Sequence, residues 1–485
     1  MTPEPLTPLA FTPRTLVVDL DGTLIKTDLL LESANWFVSR HPLGIFRLLP
    51  RLVQSRESLK AELAGVFPID AGALPYHEGL LTWLREQKQS GRYIVLATAS
   101  HRVLAEAVAM HIGLFDEVLT TDENVNLRGA AKHDVLTARF GASGFDYVGN
   151  DHADLAVWNA AAEVHVVAPD AALLRRCQAL EKPLRIFASE RKSFVSSFWI
   201  ALRPYQWVKN LLVFIPFVAA HHFYNLGEFL ASILSFLSFC MTASGLYLLN
   251  DLIDVGDDRH HHRKRGRPFA AGDMGLLSGW LLWPSLVLAG CLLALLTLPL
   301  HFLIALASYA ALTLAYSFYL KRFAMLDVVT LAALYTSRVI AGGLGTSVQL
   351  SFWLLSFSMF MFLSLAFVKR FCELGAKTGA MRLRGRGYYI GDLEIVSSMG
   401  ICSGYIAVLI LAMYIQEPRT LTLYRSPQFI WFACPLLLYW ISRIWLIANR
   451  GKMHDDPIVF ALKDKPTWLV GALFAVIFTL AQVVE

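Results

Sequence analysis

Hydrophobic and polar positions are distributed differently in the two halves of this chain. From Phe194 onward, uncharged runs of 18 or more residues recur, and each is long enough to cross a lipid bilayer core of ~30 Å. Residues 1 to about 190 instead carry charged side chains at the density of a soluble protein. The pattern therefore predicts a soluble N-terminal part and a membrane-spanning C-terminal part.

The C-terminal half is predicted to contain nine membrane-spanning helices. They lie near residues 205–222, 228–250, 275–298, 301–320, 326–346, 350–368, 394–415, 428–448 and 467–484. If the N-terminal part is cytosolic, the inner loops hold 17 lysines and arginines, and the outer loops hold two, Arg419 and Arg425. This positive-inside bias predicts a plasma (inner) membrane protein whose soluble part is cytosolic and whose C-terminus lies on the outer side.

Composition agrees with this division. Of 485 residues, 55% are hydrophobic and 17% are charged, which is too apolar for an ordinary soluble protein. The N-terminal sequence lacks the pattern of a signal peptide, so the soluble part is expected to stay inside the cell. The six cysteines lack metal-type spacing, and neither a disulfide scaffold nor a zinc site is expected. The net charge of +5 is small, and we predict no nucleic-acid partner.

The segment NDLIDVGDDRHHHRKRGRPFAAG, residues 250–272, lies between two predicted spans on the cytosolic side. Asn250, Asp254 and Asp258 recur every four residues, so a continued helix would gather them on one face, together with Asp251. Carboxylates packed at a membrane boundary repel one another unless a divalent cation neutralises them, and oxygen ligands suit Mg²⁺. The segment predicts a Mg²⁺–diphosphate site. The alternative is a solvated acidic cap beside arginines that contact lipid headgroups and set the topology.

A second group of charged residues lies within or beside the predicted spans. Asp327 and Arg338 are eleven residues apart and share a helix face, with Arg338 ~16 Å deeper in the membrane. Arg338 should face a polar cavity, or form a structural ion pair with an acid. Lys209, Lys369 and Arg370 lie at the cytosolic ends of the first and sixth spans. They are either snorkelling anchors or the lining of one anion-binding mouth.

These motifs carry a family resemblance. Residues 250–258 match the NDxxDxxxD motif of the UbiA superfamily of intramembrane prenyltransferases, all-α bundles of nine spans, and the resemblance covers residues 195–485. The stretches RPYQWVKNLLVF, YSFYLKRFAMLD, SRVIAGG and VKRFCEL are similar to one branch, the decaprenyl-phosphate phosphoribosyltransferases. That branch transfers phosphoribose from 5-phosphoribosyl 1-diphosphate to a polyprenyl phosphate. One departure is His262, where the branch usually has proline.

The resemblance implies a role for each polar group. Mg²⁺ would be held against the donor diphosphate by Asn250, Asp251, Asp254 and Asp258. Phosphates of donor or acceptor would be bound by Lys209, Arg259, Arg265, Arg267, Lys321, Arg338, Lys369 and Arg370, while Asp327 would orient a lysine or a donor hydroxyl. Metal and arginines would stabilise the departing diphosphate while C1 of ribose gains oxocarbenium character and the lipid phosphate attacks.

The soluble half contains a second set of motifs. TLVVDLDGT, residues 15–23, predicts a buried strand that ends in two aspartates and a glycine turn. Alone this is an acidic strand-to-loop turn, but Thr98 in YIVLAT, Lys132 in GAAKHDVL, and Asp151 and Asp154 in DYVGNDHADL follow in order. The set resembles the haloacid dehalogenase (HAD) phosphatase superfamily over residues 14–170. This implies an α/β fold with a doubly wound parallel sheet whose strand ends form the site.

The HAD resemblance also implies residue roles. Asp19 would be the nucleophile and Asp21 the general acid and base, while Thr98 would bind the phosphoryl oxygens and Lys132 would neutralise their charge. Mg²⁺ would be bound by Asp19, Asp21 and the acidic loop with Asn150, Asp151 and Asp154. Because Asn150 stands where family members often have aspartate, the alternative to an active site is a weakened or altered metal site.

The sequence divides into residues 1–170, a linker or interfacial segment at 171–194, and the membrane part at 195–485. Around residues 27–76 an insert is expected to form a small helical cap. Within it, the basic amphipathic stretch 46–53 either packs as a cap helix or rests on the membrane surface.

Together the halves predict a bifunctional enzyme. The transferase product would keep a phosphomonoester on C5, and the HAD domain would remove it to give polyprenyl-phosphoryl ribose, a precursor of lipid-linked arabinofuranose. The alternatives are an aromatic (4-hydroxybenzoate-type) polyprenyltransferase with a HAD domain of separate or regulatory role, a transporter, and an inactive HAD scaffold.

Overall fold

The chain divides into two compact units. The computed structural model describes residues 14–41, 44, 56–121, 127–375, 386–417, 423–453 and 456–484. Unit 1 comprises Met1–Ala201 and Leu248–Leu282, and unit 2 comprises Leu202–Tyr247 and Trp283–Glu485. The acidic segment 250–272 therefore belongs to the same unit as the soluble part of the chain.

Unit 1 is built on a parallel sheet of six strands in the order β3-β2-β1-β4-β5-β6. The strands are β1 (Thr15–Val18), β2 (Ile94–His101), β3 (Glu117–Thr121), β4 (Phe145–Gly149), β5 (Val164–Val167) and β6 (Leu184–Phe187). Val17 at the centre pairs with Val95 on one side and Tyr147 on the other. The predicted α/β fold with a doubly wound parallel sheet is confirmed.

Helices cover both faces of this sheet. They are α1 (Leu29–Arg40), α2 (Arg56–Val66), α3 (Glu78–Gln89), α4 (Arg102–Ile112), α5 (Ala130–Phe140), α6 (Leu155–Ala160) and α7 (Ala171–Gln178). Successive strand residues point to opposite faces, so Leu16 and Val18 join one apolar core while Val17 joins the other. Because both faces are covered, the central strand β1 is apolar without alternation over Leu16–Val18.

Two helices, α1 and α2, lie in the insert where a helical cap is predicted. Asp28 begins α1, and its carboxylate accepts a hydrogen bond from the Leu31 backbone N–H, a standard N-cap. The basic stretch 46–53 lies outside the described residues, and its packing stays a prediction.

The rest of the chain is helical. The helices are α8 (Phe194–Leu202), α9 (Ile215–Ala219), α10 (Leu226–Ile253), α11 (Val255–Arg259), α12 (Leu276–Thr297), α13 (Leu300–Phe318), α14 (Leu326–Thr346), α15 (Phe352–Gly375), α16 (Leu393–Tyr414), α17 (Ala433–Asn449), α18 (Pro457–Lys463) and α19 (Lys465–Val483). Within the described part of the chain, eight helical segments are long and apolar enough to cross a membrane. These eight correspond to the second through ninth predicted spans.

The first predicted span, 205–222, is not a single long helix. A 3-10 segment, Pro204–Phe214, is followed by the short helix α9. Pro216 lacks the backbone N–H that a continuous helix would need at its interior, which explains part of the interruption. The count of nine spans is therefore not confirmed, although the multi-pass character of the C-terminal half is.

Candidate functional site

The soluble part of unit 1 gathers an ion-paired carboxylate at the end of the central strand. Asp19 directly follows β1, and its Oδ1 lies 2.8 Å from Nζ of Lys132 on α5. Tyr147 on β4 bonds both Lys132, at 3.0 Å, and Asp154, at 2.8 Å. Burial raises the pKa of Asp19 to about 6, although the Lys132 ammonium group opposes the shift. Asp19 is thus a buried carboxylate held in one orientation by a cation.

Asp21, beside Asp19, is held by a different set of hydrogen-bond donors. Its Oδ2 accepts hydrogen bonds from Ser100 Oγ at 2.5 Å and Thr98 Oγ1 at 3.4 Å, both from β2. Its Oδ1 accepts from the backbone N–H of Leu29, the first residue of α1. Burial, and then the charge of Asp28, raises the pKa of Asp21 to about 7. A carboxyl group of that pKa exchanges protons near neutral pH.

Oxygen atoms from two loops, after β1 and after β4, meet beside Asp19. The Thr23 hydroxyl lies 3.0 Å from Oδ1 of Asn150 and 3.5 Å from Oδ2 of Asp19. Gly22 has φ of 75°, and a Cβ there would collide with the Asn150 side chain, so only glycine lets the two loops approach. These amide and carboxylate oxygens are a donor set that fits Mg²⁺.

The other two acids of this loop are placed differently. Asp154 uses Oδ2 to accept from the backbone N–H groups of Asn150 and Asp151, which fixes the loop after β4. The Asp151 side chain is 53% exposed and has Arg128 at 3.8 Å. The structure therefore brings Asp19, Thr98, Lys132, Asn150 and Asp154 into one cluster with Asp21, while the Asp151 carboxylate faces outward.

The acidic segment of unit 1 converges on one cationic nitrogen. Nη1 of Arg267 lies 3.0 Å from Asp251 and 2.6 Å from Asp258, and both aspartates are buried. Asn250 donates to Asp254 at 3.0 Å. The helix is interrupted at Asp254, yet backbone bonds from Asp254 to Asn250 and from Asp258 to Asp254 keep the predicted spacing.

This arrangement fits Mg²⁺. Asp251 and Asp258 direct oxygens toward one position that the Arg267 guanidinium group occupies, and Asn250 and Asp254 beside them add amide and carboxylate oxygens. Burial raises the pKa of Asp258 to about 6, in spite of Arg267. Arg259 bonds to Glu32, and Arg265 is exposed at the surface of the segment.

Unit 2 contains a cluster of cations around a buried carboxylate, Asp456. The sequence motifs did not indicate this carboxylate. Nζ of Lys209, in the 3-10 segment, lies 2.6 Å from Asp456, and Nζ of Lys369 on α15 lies 3.4 Å from the same oxygen. The Tyr335 hydroxyl is 3.3 Å away. Burial alone would raise the pKa of Asp456, but the Lys209 and Lys369 ammonium groups outweigh it and hold that pKa well below its usual range.

Arg338 is buried on α14 next to this cluster. Its Nε donates to Asn210 at 2.9 Å and its Nη2 to the Tyr309 hydroxyl at 2.9 Å. The guanidinium group also lies over the rings of Tyr309 and Tyr335. Within the described residues its hydrogen-bond partners are neutral, so Arg338 forms no ion pair with an acid there, and a polar cavity beside it stays a prediction.

Asp327 and Arg370 form a separate, fully buried pair. Nη2 of Arg370 lies 2.7 Å from Asp327, and Arg386 lies 3.6 Å from the same oxygen. The Tyr388 hydroxyl donates to Asp327 at 2.6 Å. Asp327 therefore orients arginines, whereas the sequence predicted a lysine or a donor hydroxyl. Lys321 lies in the 3-10 segment Leu320–Arg322 after α13.

The structure adds residues that the motifs did not indicate. Asp456 precedes Pro457 in HDDPIVFALKD. In this loop, only the lysines and arginines entered the prediction of membrane topology. An acid placed before a proline that starts a helix is a visible N-cap signal, but nothing local ties it to Lys209, 247 positions earlier. Nothing in the sequence around Asn210, which is adjacent to Lys209, indicated that its side chain would accept a hydrogen bond from Arg338.

Comparison with known proteins identifies a family for each half of the chain. Residues 211–464 match the family model of UbiA prenyltransferases. The chain belongs to the UbiA prenyltransferase family. Residues 16–170 match the model of haloacid dehalogenase-like hydrolases. This UbiA-family chain is thus a multi-pass membrane enzyme of the prenyltransferase type that also carries a HAD-type hydrolase domain.

Individual relatives of this UbiA-family chain match either nearly its whole length or little more than half of it. The uncharacterized protein y4nM of Sinorhizobium fredii is 36% identical over 470 residues, covering 96% of this chain and 91% of that protein. Nodulation protein NoeC of Azorhizobium caulinodans is 38% identical over 270 residues, 54% of this chain and 86% of that protein. Decaprenyl-phosphate phosphoribosyltransferase of Mycolicibacterium smegmatis is 33% identical over 291 residues, 57% of this chain and 90% of that protein.

Proposed function

We propose that this chain transfers 5-phosphoribose from 5-phosphoribosyl 1-diphosphate to a polyprenyl phosphate, and that its HAD domain then removes the 5-phosphate. The product would be polyprenyl-phosphoryl ribose. Both reactions act on phosphate esters, and the charged residues described above are of the types that bind them.

The observation that carries the proposal is the excess of cations over carboxylates in unit 2. Lys209 and Lys369 share the Asp456 carboxylate, and Arg338 lies over the ring of Tyr335, whose hydroxyl reaches the same carboxylate. Glu373, which also attracts Lys369, is itself paired with Arg370. Buried charge without compensation is costly, so a dianionic phosphate ester is the natural ligand of such a cluster. An aromatic acceptor with a single carboxylate would neutralise it less well. The resemblance to decaprenyl-phosphate phosphoribosyltransferases supports the same acceptor class.

We assign the donor diphosphate to the acidic segment. Asp251, Asp254 and Asp258, with Asn250, would hold Mg²⁺, which supplies positive charge to the leaving diphosphate. Arg267, which already lies between two of these aspartates, would contribute a second positive charge to the same group. The lipid phosphate is ionised at neutral pH and needs no strong base.

The HAD site supplies the second reaction. Asp19 would attack the phosphorus of the 5-phosphate while Lys132 neutralises the phosphoryl oxygens. Asp21, whose pKa burial raises to about 7, would protonate the departing C5 oxygen as its bond to phosphorus breaks, and would later take a proton from the water that displaces the phosphoryl group from Asp19. Asp19, the Asp21 carbonyl and Asn150 would hold Mg²⁺, which supplies charge to the transferred phosphoryl group. Thr98 and Ser100 keep the Asp21 carboxyl oriented.

A single assay tests both steps. Purified full-length protein is given radiolabelled 5-phosphoribosyl 1-diphosphate, Mg²⁺ and polyprenyl phosphate, and diphosphate and orthophosphate are measured over time. Diphosphate should appear first and orthophosphate second, each in proportion to lipid-linked ribose. In Asp19→Asn, diphosphate release should continue while orthophosphate release from the lipid product stops, because the nucleophile is lost.

The matched control is Asp134→Asn, the same chemical change at a side chain that is 77% exposed on α5. It should leave both releases unchanged. Orthophosphate release that survives Asp19→Asn would contradict the phosphatase step. Diphosphate release that requires polyprenyl diphosphate and 4-hydroxybenzoate, with no ribose label in the lipid, would instead identify the aromatic prenyltransferase.

A further inference from the structure

A buried acid on the cap helix has no part in the phosphatase chemistry. Glu32, in the first turn of α1, binds the guanidinium group of Arg259 through two bonds, at 2.6 and 3.1 Å. The two side chains are 5% and 8% exposed. Arg259 follows Asp258 directly, so this buried pair fixes the C-terminal end of the aspartate motif to a helix of the soluble domain.

One turn later, Asn35 makes a second connection. Its Nδ2 donates to the backbone carbonyl of Leu252 at 2.8 Å, and its Oδ1 accepts from Nε1 of Trp280 at 2.9 Å. Leu252 lies beside Asp251 in the last turn of α10, where helix carbonyls lack partners within the helix. Asn35 therefore satisfies a carbonyl in the middle of the motif and ties it to the start of α12.

Further contacts hold the rest of the segment. His260 lies 2.9 Å from Asp70, and Asp273 accepts from the backbone N–H of Lys192. Gly272 has φ of 73°, and a Cβ there would come within 2.8 Å of the Lys26 Cβ atom, so the backbones approach closely. The segment from residue 250 to residue 273 is thus anchored along its length to the soluble part of unit 1.

We propose that Glu32 and Asn35 are positioning residues of the transferase reaction. Through Arg259 and the Leu252 carbonyl, α1 fixes the orientation in which Asp251 and Asp258 converge. The identity of the donor as 5-phosphoribosyl 1-diphosphate rests on the proposed function, but the positioning role does not. Arg259 is consequently a clamp between helix and motif, and Arg267 is the arginine that faces the aspartates.

The same helix also contacts the phosphatase site. The N–H of Leu29, at the start of α1, donates to the Asp21 carboxylate, one turn before Glu32. A single helix therefore supports a catalytic carboxylate at its beginning and the aspartate motif further along. A displacement of the whole helix would reach both sites, whereas loss of the Glu32 or Asn35 contact leaves the Leu29 bond to Asp21 in place.

The test uses full-length Glu32→Gln and Asn35→Asp in detergent. Glu32→Gln keeps the side-chain shape and removes the charge that binds Arg259, and Asn35→Asp removes the donor to Leu252. Glu86→Gln, on the exposed face of α3, is the matched control. Two quantities are measured: hydrogen exchange of peptides from residues 250–272, and KM and kcat for diphosphate release, with hydrolysis of p-nitrophenyl phosphate as a separate readout of the HAD site.

In both variants, the backbone amides of residues 250–272 should exchange hydrogen faster, while peptides from β1 and β4 remain protected. The KM for the donor and the Mg²⁺ concentration for half-maximal rate should rise by about tenfold or more, as for partners that orient metal ligands. Hydrolysis of p-nitrophenyl phosphate should stay within about twofold, since the cluster around Asp19 is intact. The charge swap Glu32→Arg with Arg259→Glu should recover part of the loss.

Unchanged exchange in residues 250–272 in both variants would overturn the proposal. Equal loss of protection across the sheet would also overturn it, because it would show a general folding role. If the wild-type protein releases no diphosphate from 5-phosphoribosyl 1-diphosphate, the proposed function fails, and the exchange data still decide whether α1 positions the motif.

Discussion

The Asp21 carboxyl group shows how burial and one neighbouring charge set the pKa of the proposed general acid. Three donors surround it, from Thr98, Ser100 and the Leu29 backbone, yet burial and the charge of Asp28 still raise its pKa to about 7. A general acid must hold its proton, so the fraction of Asp21 able to protonate a leaving alcohol falls as pH rises through that value.

Asp28→Asn should move this pH dependence. Removing the negative charge lowers the pKa of Asp21, so the descending limb of the rate for a sugar phosphomonoester should shift toward lower pH by about one unit or less. Asparagine caps a helix as well as aspartate, so α1 should keep its start. The measurement is kcat against pH for ribose 5-phosphate hydrolysis.

A substrate that needs no acid provides the control for this shift. p-Nitrophenolate leaves without protonation, so neither the wild-type protein nor Asp28→Asn should show the descending limb with p-nitrophenyl phosphate. A limb that stays in place in Asp28→Asn, or that moves equally in the surface variant Asp134→Asn, would count against Asp21 as the acid.

The site residues differ in how far sequence could predict them. Asp19 and Thr98 were predictable because polar groups at the ends of adjacent parallel strands must meet, whereas Lys132, on α5, was predicted from the HAD resemblance. The outward direction of Asp151 was not, because it depends on Asp154 turning inward to hold the loop backbone. Asp456 was missed because its partners, Lys209 and Lys369, are distant in sequence.

At the scale of elements, apolar run length predicted the membrane helices well. The bounds of α10 and α12 agree with the predicted spans to within a few residues, because about 20 apolar residues fix the length of a span. Run length could not predict the 3-10 segment Pro204–Phe214, which lies within a largely apolar run although it contains Gln206, Lys209 and Asn210. Its conformation depends on Pro216 and on close packing against α14.

Gly342 permits that packing, and this makes a prediction about the segment. A Cβ at Gly342 on α14 would lie well inside 3.0 Å of the Val213 carbonyl oxygen, and Val213 belongs to the same 3-10 segment as Lys209. Gly342→Ala should therefore destabilise the protein by roughly 1–3 kcal/mol and lower its Tm in detergent. Transferase activity should fall with it, because Lys209 is displaced.

Gly471→Ala is the matched control for this substitution. It lies within α19, where a Cβ would meet no atom within 4 Å. Alanine there should leave the Tm unchanged or raise it slightly, since alanine favours the helix more than glycine does. The melting temperatures are measured by circular dichroism. Equal values for the two variants would show that α14 and the 3-10 segment do not pack as described.

At the scale of the whole molecule, family models identify the two catalytic parts, but the compact units do not follow that division. The aspartate motif is part of the membrane sequence, yet residues 248–282 pack with the sheet domain. Glu32 and Arg259 are 227 positions apart, and neither family pattern contains their pairing. Such a contact is visible only in three dimensions, because each residue alone resembles an ordinary surface charge.

The covalent connection itself makes the last prediction. Joining two enzymes on one chain keeps their effective concentration near the millimolar range however dilute the protein is. In the wild-type protein, the early ratio of orthophosphate to diphosphate should therefore be unaffected by about tenfold dilution of the enzyme.

A mixture of two full-length variants provides the comparison. Asp19→Asn keeps the transferase and Asp251→Asn keeps the phosphatase, so the intermediate must pass from one molecule to the other. Its ratio should fall on dilution while phosphorylated lipid accumulates. If wild type and mixture respond alike, the phosphorylated product equilibrates with the membrane before hydrolysis, and the fusion serves the positioning of the aspartate motif rather than the transfer of an intermediate.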